Sequence, residues 1–431
     1  MTAHIRNGIL GLLLILVSLS VSVVGAQDKS LTIWTVYNSD SPQNDQDKWM
    51  AGLIEDYKAE GVTLKNVTRP FDTISTDLNL ALLAGGDIPD VSYVSAAALS
   101  PFALNGTLTD LRDFIKQAPW KDDLNPAALA ACTAPTGEIL CIPTTMATTL
   151  TYYWKDAYPN GYDGSIEGLA ADTSTKYAIT GKSADVFGFD VFFFPLLTSY
   201  GVKFADDKGL ASWASSEAVK GIEAIRALYT RGKMPDTALA AGFDYENNFK
   251  DGSAGAFLAG SWSYVFLNPL KTPGGREYPA DSTAVEKALA AGDLQLAAPI
   301  HTHTGKPATL LVLNGWVIPK DSKNADGAKA FINWHMTTAR NVAYAQSYGA
   351  LPTLKSGLED AAFKTPYWLG VADILQQYGA PPPSFFDASA AKQKFADMVV
   401  DLIQHPDVDI MTTLKTAQAE YNAEVEAARG G

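Results

Sequence analysis

Leu31-Thr32-Ile33-Trp34-Thr35-Val36 reads as a β-strand, because β-branched and aromatic residues dominate it and neither Gly nor Pro interrupts it. Trp49, Leu53 and Tyr57 then recur at the spacing of one helix face, and Gly61 can end that helix. Val62 to Val67 predicts a second strand. Asp72 is placed to cap a helix lined by Ile74, Leu78, Ala81 and Leu82, and Gly85-Gly86 stops it. Asp90 to Val94 predicts a third strand. Strands and helices that alternate at this spacing imply an α/β fold with a parallel sheet and helices on both faces. Ligands of such sheets bind outside the C-terminal ends of the strands. Tyr37-Asn38-Ser39 and Ser95-Ala96 are therefore expected on rim loops.

Further along, the chain is more helical. Val219, Ile222, Ile225 and Leu228 form an apolar stripe that starts near Ser216 and ends at Gly232. A second helix is predicted from Ala325 to Thr338, with Ala328, Phe331, Ile332 and His335 on one face. Residues 390–428 are rich in Ala and charge and predict helix. Pro381-Pro382-Pro383 is a rigid, non-helical connector. No repeat at solenoid spacing is visible.

The N-terminus reads as an export signal. Arg6 precedes an apolar run from Ile9 to Val24, and Val24-Gly25-Ala26 places small residues where a signal peptidase cuts. Cleavage after Ala26 is expected. The run falls short of the ~20 residues of a spanning helix, and no Cys follows it to carry a lipid anchor. The net charge of −14 becomes −15 once Arg6 is lost. That disfavours nucleic acid and anionic membrane surfaces as partners. Roughly 405 mature residues are enough for two or three cored units. Cys132 and Cys141 are the only cysteines, and export into an oxidising compartment predicts a local disulfide; two buried thiols are the alternative.

Catalytic signatures are scarce. The chain has no Gly-x-Ser-x-Gly elbow, no His-Glu-x-x-His pair and no dinucleotide fingerprint. Gly181-Lys182-Ser183 looks like the end of a phosphate loop, but Lys176 stands where the first Gly is required. His301-x-His303 has only three other histidines to draw on and is expected to be a polar surface pair. No metal or cofactor is expected. A hidden pair of glycosidase carboxylates remains compatible with the many acids. The aromatics are more informative, because sugars offer flat C–H faces that stack on rings. Of the 9 Trp, 18 Tyr and 18 Phe most must be core, so position decides which of them meet a ligand. Gly260-Ser261-Trp262 follows the apolar run Ala254–Ala259, so Trp262 is expected just past a strand end.

Several segments, in order, resemble extracellular solute-binding protein family 1, the maltose-binding-protein-like sugar-binding components of ABC importers. They are Leu31–Thr35, Ala84–Val91, Asn105–Leu111, Gly137–Pro143 with Tyr152–Asp156, Phe249–Trp262, and Asn314–Asn324 followed by Ala328, Phe331 and Ile332. Phe249–Trp262 is the most specific. Trp154 stands where that family has Asn, and no carboxylate occupies the position near Ala147 where one is usual.

The resemblance implies a two-lobed binding-protein fold with three interlobe crossings, near Thr145–Thr149, Thr309–Leu313 and Tyr378–Pro383. It implies one lobe from residues 27–147 plus 312–378 and another from 148–311 plus 379–431, closing on a hinge. It implies a ligand site with Trp262, Tyr37, Asn38, Ser95, Asp190, Phe385 and Phe386, the partner being an ABC permease. A periplasmic or extracellular, monomeric protein that binds a sugar and catalyses nothing is the expectation. The alternatives are a non-sugar solute such as a polyamine or glycerol phosphate, and a secreted carbohydrate-active enzyme.

Overall fold

The computed structural model describes residues 30–430 apart from positions 72, 135, 173, 241 and 381. The export signal and the Asp72 cap lie outside the described residues. Among the described residues there are twelve strands: β1 Ser30–Thr35, β2 Thr63–Thr68, β3 Val91–Ser95, β4 Ile142–Trp154, β5 Tyr177–Gly181, β6 Ala254–Gly260, β7 Leu270–Lys271, β8 Glu277–Tyr278, β9 Leu294–Ala297, β10 Thr309–Val317, β11 Leu351–Pro352 and β12 Gly379–Ala380. β1, β2 and β3 pair in parallel, as the N-terminal alternation requires. β1 lies between the other two, and the order continues β10-β4-β6-β5. β10 runs antiparallel to β3 and β4, and β4 antiparallel to β6, while β10 pairs with β12 in parallel, so the whole sheet is mixed.

Those two long strands organise the molecule. β4 pairs with β10 through Thr148 and then, from Thr149 onward, with β6. β10 pairs with β12 at Thr309 and Leu310 before it joins β4 and β3. Three chain segments thus lie side by side at one waist. The handover is sealed by hydroxyls: Thr309 Oγ1 is 2.8 Å from Thr148 Oγ1 and 2.6 Å from Thr149 Oγ1. It also accepts from Thr149 N at 3.0 Å and donates to Thr149 O at 2.8 Å. A side chain here satisfies backbone groups where the ladder changes partners, which buried amides require.

Three hydrophobic cores surround this frame. One joins β1, β3 and the start of β4 to helices Asp45–Ala59, Ala325–His335 and Thr338–Tyr348. A second gathers β5, helix Ser216–Thr230 and helices Ala388–Gln404 and Ile410–Gly430. The third sits at the waist, where helix Pro366–Tyr378 covers β4, β9 and β10.

The predicted stripes bury as expected: Leu53 and Tyr57, Ile74 and Leu78, and Ile222, Ile225 and Leu228. Two predicted helices break. Ala325–Thr338 ends at His335 and restarts at Thr338, and the C-terminal stretch breaks at His405-Pro406, where a proline removes a helix donor. Cys132 and Cys141 are bonded, tying the end of helix Pro126–Ala131 to the approach to β4.

Candidate functional site at the waist

β5 and β6 are parallel and end together, at Gly181 and Gly260. The segments beyond them bring aromatic rings and charged groups together near the waist. Trp262 folds back over Gly260, where an added Cβ would lie 2.2 Å from the indole, so only glycine leaves the ring its place. The ring is half-buried against the first core and lies 5.2 Å from Phe187, tilted by 56°. Trp262 therefore touches elements on both sides of the waist.

The segment after β5 carries Lys182 in the link and Asp185 and Phe187 in the one-turn helix Asp185–Gly188. Lys182 is buried, with Nζ 2.8 Å from Asp185 Oδ2. Its ammonium also lies 5.5 Å from the Phe187 ring and 4.7 Å from the Phe243 ring, the latter 53% exposed. Cation–ring attraction adds to the ion pair here. Asp185 has φ +60°, the only positive φ at a non-glycine among the described residues. Such a conformation costs on the order of 1–2 kcal/mol and persists only where surroundings impose it. Lys182 and the Phe187 amide, 2.8 Å from Asp185 Oδ1, do so. Asp185 remains about one-third exposed, beside the rings. Flat apolar faces next to a solvent-reached carboxylate suit a ligand with C–H faces and hydroxyls. Charge at this spot is balanced, which does not favour an anion.

In the sheet, Ser95 ends β3 in register with Asn314 of β10, which pairs with Thr145 of β4. Cross-strand partners share a face, so these three polar side chains form a row. Asn314 Nδ2 and Thr145 Oγ1 are buried without a hydrogen-bond partner among the described residues.

The seven expected ligand residues fare differently. Trp262 is at the waist. Asn38 is exposed on the β1 rim loop, accepting from Ser41 N at 3.2 Å, and Ser95 is half-buried at the β3 end. No hydrogen bond or ring contact among the described residues links either to Trp262.

Tyr37 is 1% exposed, and its hydroxyl meets Tyr344 Oη at 2.6 Å within a tyrosine cluster, so it packs the lobe interior. Burial raises its pKa well above the ordinary phenol value, with neighbouring tyrosines adding to the shift. Asp190 is engaged by Lys392, Nζ to Oδ1 2.7 Å, within the second core, and burial raises its pKa despite the cation. Phe385 is core, edge-on to Trp213, Phe189 and Tyr421. Phe386 lies under the Arg429 guanidinium at 4.6 Å, on the C-terminal helix. These four serve packing instead. The chain after the proline run docks on the second core, not across the waist. Sequence reasoning did not single out Lys182 or Asp185 for the site, and took Phe187 only as the start of the stretch that carries Asp190; the signal was an Asp three residues after a Lys, directly beyond a strand.

Known proteins share this architecture. The family model for bacterial extracellular solute-binding proteins matches residues 53–367. No curated protein matches the chain. Among solved structures, the GacH receptor of Streptomyces glaucescens, described unliganded and with acarbose, aligns at TM-score 0.75 and 17% identity, covering 91% of this chain and 97% of that one. The Thermus thermophilus maltotriose-binding protein with maltotriose aligns at 0.71 and 20%, covering 92% and 100%. Maltose-bound MalE3 of T. maritima aligns at 0.74 and 18%, covering 91% and 98%. At these identities the likeness establishes a shared two-lobed α/β fold.

Proposed function

The chain belongs to the bacterial extracellular solute-binding proteins, and from that premise we propose that it is a clamp for a mono- or oligosaccharide. It would hold the sugar between two lobes and pass it unchanged to the permease of an ABC importer. The observation that carries this is the strip Phe243–Lys182–Phe187–Trp262 with Asp185 beside it, at the ends of parallel strands and against the waist. Rings supply stacking faces and Asp185 accepts hydroxyl protons. The acarbose, maltotriose and maltose held by proteins of this fold support the class of ligand.

In this reading, residues 27–147 plus 312–378 and residues 148–311 plus 379–431 are the lobes, and β4, β10 and β12 form the hinge that lets them close. Asn38 and Ser95 contribute from the first lobe. The mature protein starts at Gln27, without lipid, and works outside the cytoplasm as a monomer. No residue acts as a catalyst.

A thermal-shift panel of mono- and oligosaccharides tests the reading, with spermidine and glycerol phosphate as further arms. A ligand bound only by the native state raises Tm. At least one sugar is expected to do so and to be recovered intact by chromatography. A shift confined to spermidine or glycerol phosphate, or hydrolysed sugar, would overturn it.

A further inference from the structure

Trp262 sits on a short 3-10 turn, Ser261–Val265, and the grip on that turn comes from outside its own lobe strand. Tyr152 Oη lies 3.1 Å from the Gly260 carbonyl oxygen, Tyr367 Oη lies 2.7 Å from that of Ser261, and the two hydroxyls are 2.6 Å apart. Two hydroxyls carry two protons for three contacts, so one contact goes unmade at any moment. The distances choose. Tyr152 donates to the Tyr367 oxygen, Tyr367 donates to the Ser261 carbonyl, and the longer contact to Gly260 is the weak one. Hydrogen bonds chained in this way strengthen one another.

Other features make the grip specific. The Tyr367 ring packs on Tyr264 of the same turn at 4.5 Å. The Ser261 and Ser263 hydroxyls are buried without partners among the described residues, so the turn's own serines do not anchor it by hydrogen bonds. Behind the turn stands Gly349, where an added Cβ would lie 2.9 Å from Trp262 Cα. Tyr367 begins the helix Pro366–Tyr378, which runs directly into β12 at the waist.

We propose that Tyr367 is a positioning residue: through the Ser261 carbonyl it sets the orientation of Trp262, and it ties that ring to the third crossing segment. The affinity arm of its test rests on the reading that Trp262 stacks on a sugar; the spectroscopic arm does not. Tyr367→Phe and Tyr152→Phe are compared with Tyr93→Phe, which removes a buried hydroxyl 3.5 Å from Tyr348 Oη that makes no hydrogen bond to the turn among the described residues. Each is made with and without Trp262→Phe, so that acrylamide quenching of Trp262 alone is read as a difference.

In Tyr367→Phe, Trp262 quenching is expected to rise and maltotriose affinity to fall about threefold to tenfold, the size of one hydrogen bond. Tyr152→Phe should show a smaller change of the same kind, and Tyr93→Phe none. If Tyr367→Phe loses stability as Tyr93→Phe does while Trp262 quenching stays unchanged, the role is packing and the proposal fails. If maltotriose fails to bind the unaltered protein, the choice of sugar is at fault, and the quenching difference still decides the positioning claim.

Discussion

Replacing Trp262 with alanine separates a ligand-stacking ring from a packing ring. The indole lies over Gly260, meets Phe187 at 5.2 Å and rests against the first core, but it is only half-buried. A fully buried Trp costs about 3–5 kcal/mol of stability on truncation. The partial exposure lowers the expectation here to roughly 2–3 kcal/mol, because folding takes less of the ring's apolar surface out of water. A stacked sugar face adds on the order of 1–3 kcal/mol to binding. Trp262→Ala should therefore weaken a sugar found in the thermal-shift panel by about tenfold to a hundredfold. Calorimetric titration measures the affinity and urea denaturation the stability. Affinity within a factor of two of the unaltered protein, alongside a stability loss of the full core size, would refute the stacking role and assign the ring to the core.

Three further outcomes follow from the geometry. Glu246, in helix Tyr245–Lys250, has its pKa raised to about 7 by burial, with Lys250 opposing; the fold binds its proton more tightly, so its contribution is full below pH 4.5 and is lost as pH rises towards 7. His335, fully buried and accepting from Trp316 Nε1 at 3.2 Å, is depressed to about 3, so its contribution is full above pH 6.5 and is lost as pH falls. The slopes oppose each other between, so Glu246→Gln should leave stability rising with pH by about 1 kcal/mol per unit from 4.5 to 6.5, and urea midpoints with no added slope would contradict the assignment. Thr309→Val leaves Thr149 N without its acceptor and should cost about 1–3 kcal/mol in urea denaturation; a loss under about 0.5 kcal/mol would mean that the waist does not depend on this hydroxyl. Reducing Cys132–Cys141 should lower stability by about 2–3 kcal/mol, and thiol titration of the unreduced, denatured chain should find no free thiol.

The parts of this fold that were legible are those governed by local rules. β1 to β3 announce themselves by β-branched composition and spacing, and helix Ser216–Thr230 by its stripe, because burial on one side imposes a period. The waist follows no such rule. β4 is buried along nearly its whole length and is rich in threonine, so it carries no period that marks Thr148–Thr149 as the point where partners change. Only the resemblance located that region.

The site divides along the same line. The place of Trp262 just past β6 was legible because one strand, one glycine and one large ring follow each other directly. Asp190 was misplaced because its partner, Lys392, comes from a helix far along the chain, and no local pattern pairs them. Tyr37 and Phe385 were misplaced because an aromatic beyond a strand or a proline run enters the core or the cleft according to which way its loop turns. Lys182 shows the converse. Its Gly-Lys-Ser setting lacks the first glycine of a phosphate loop, yet the residue is the buried centre of the second-lobe strip. A lysine there is tolerated only because Asp185 and two rings surround it. Removing Asp185 would leave an unpaired buried cation. The carboxylate proposed to meet the sugar thus also holds the segment Lys182–Gly188 in place, and Asp185→Asn should weaken binding and stability together rather than separately.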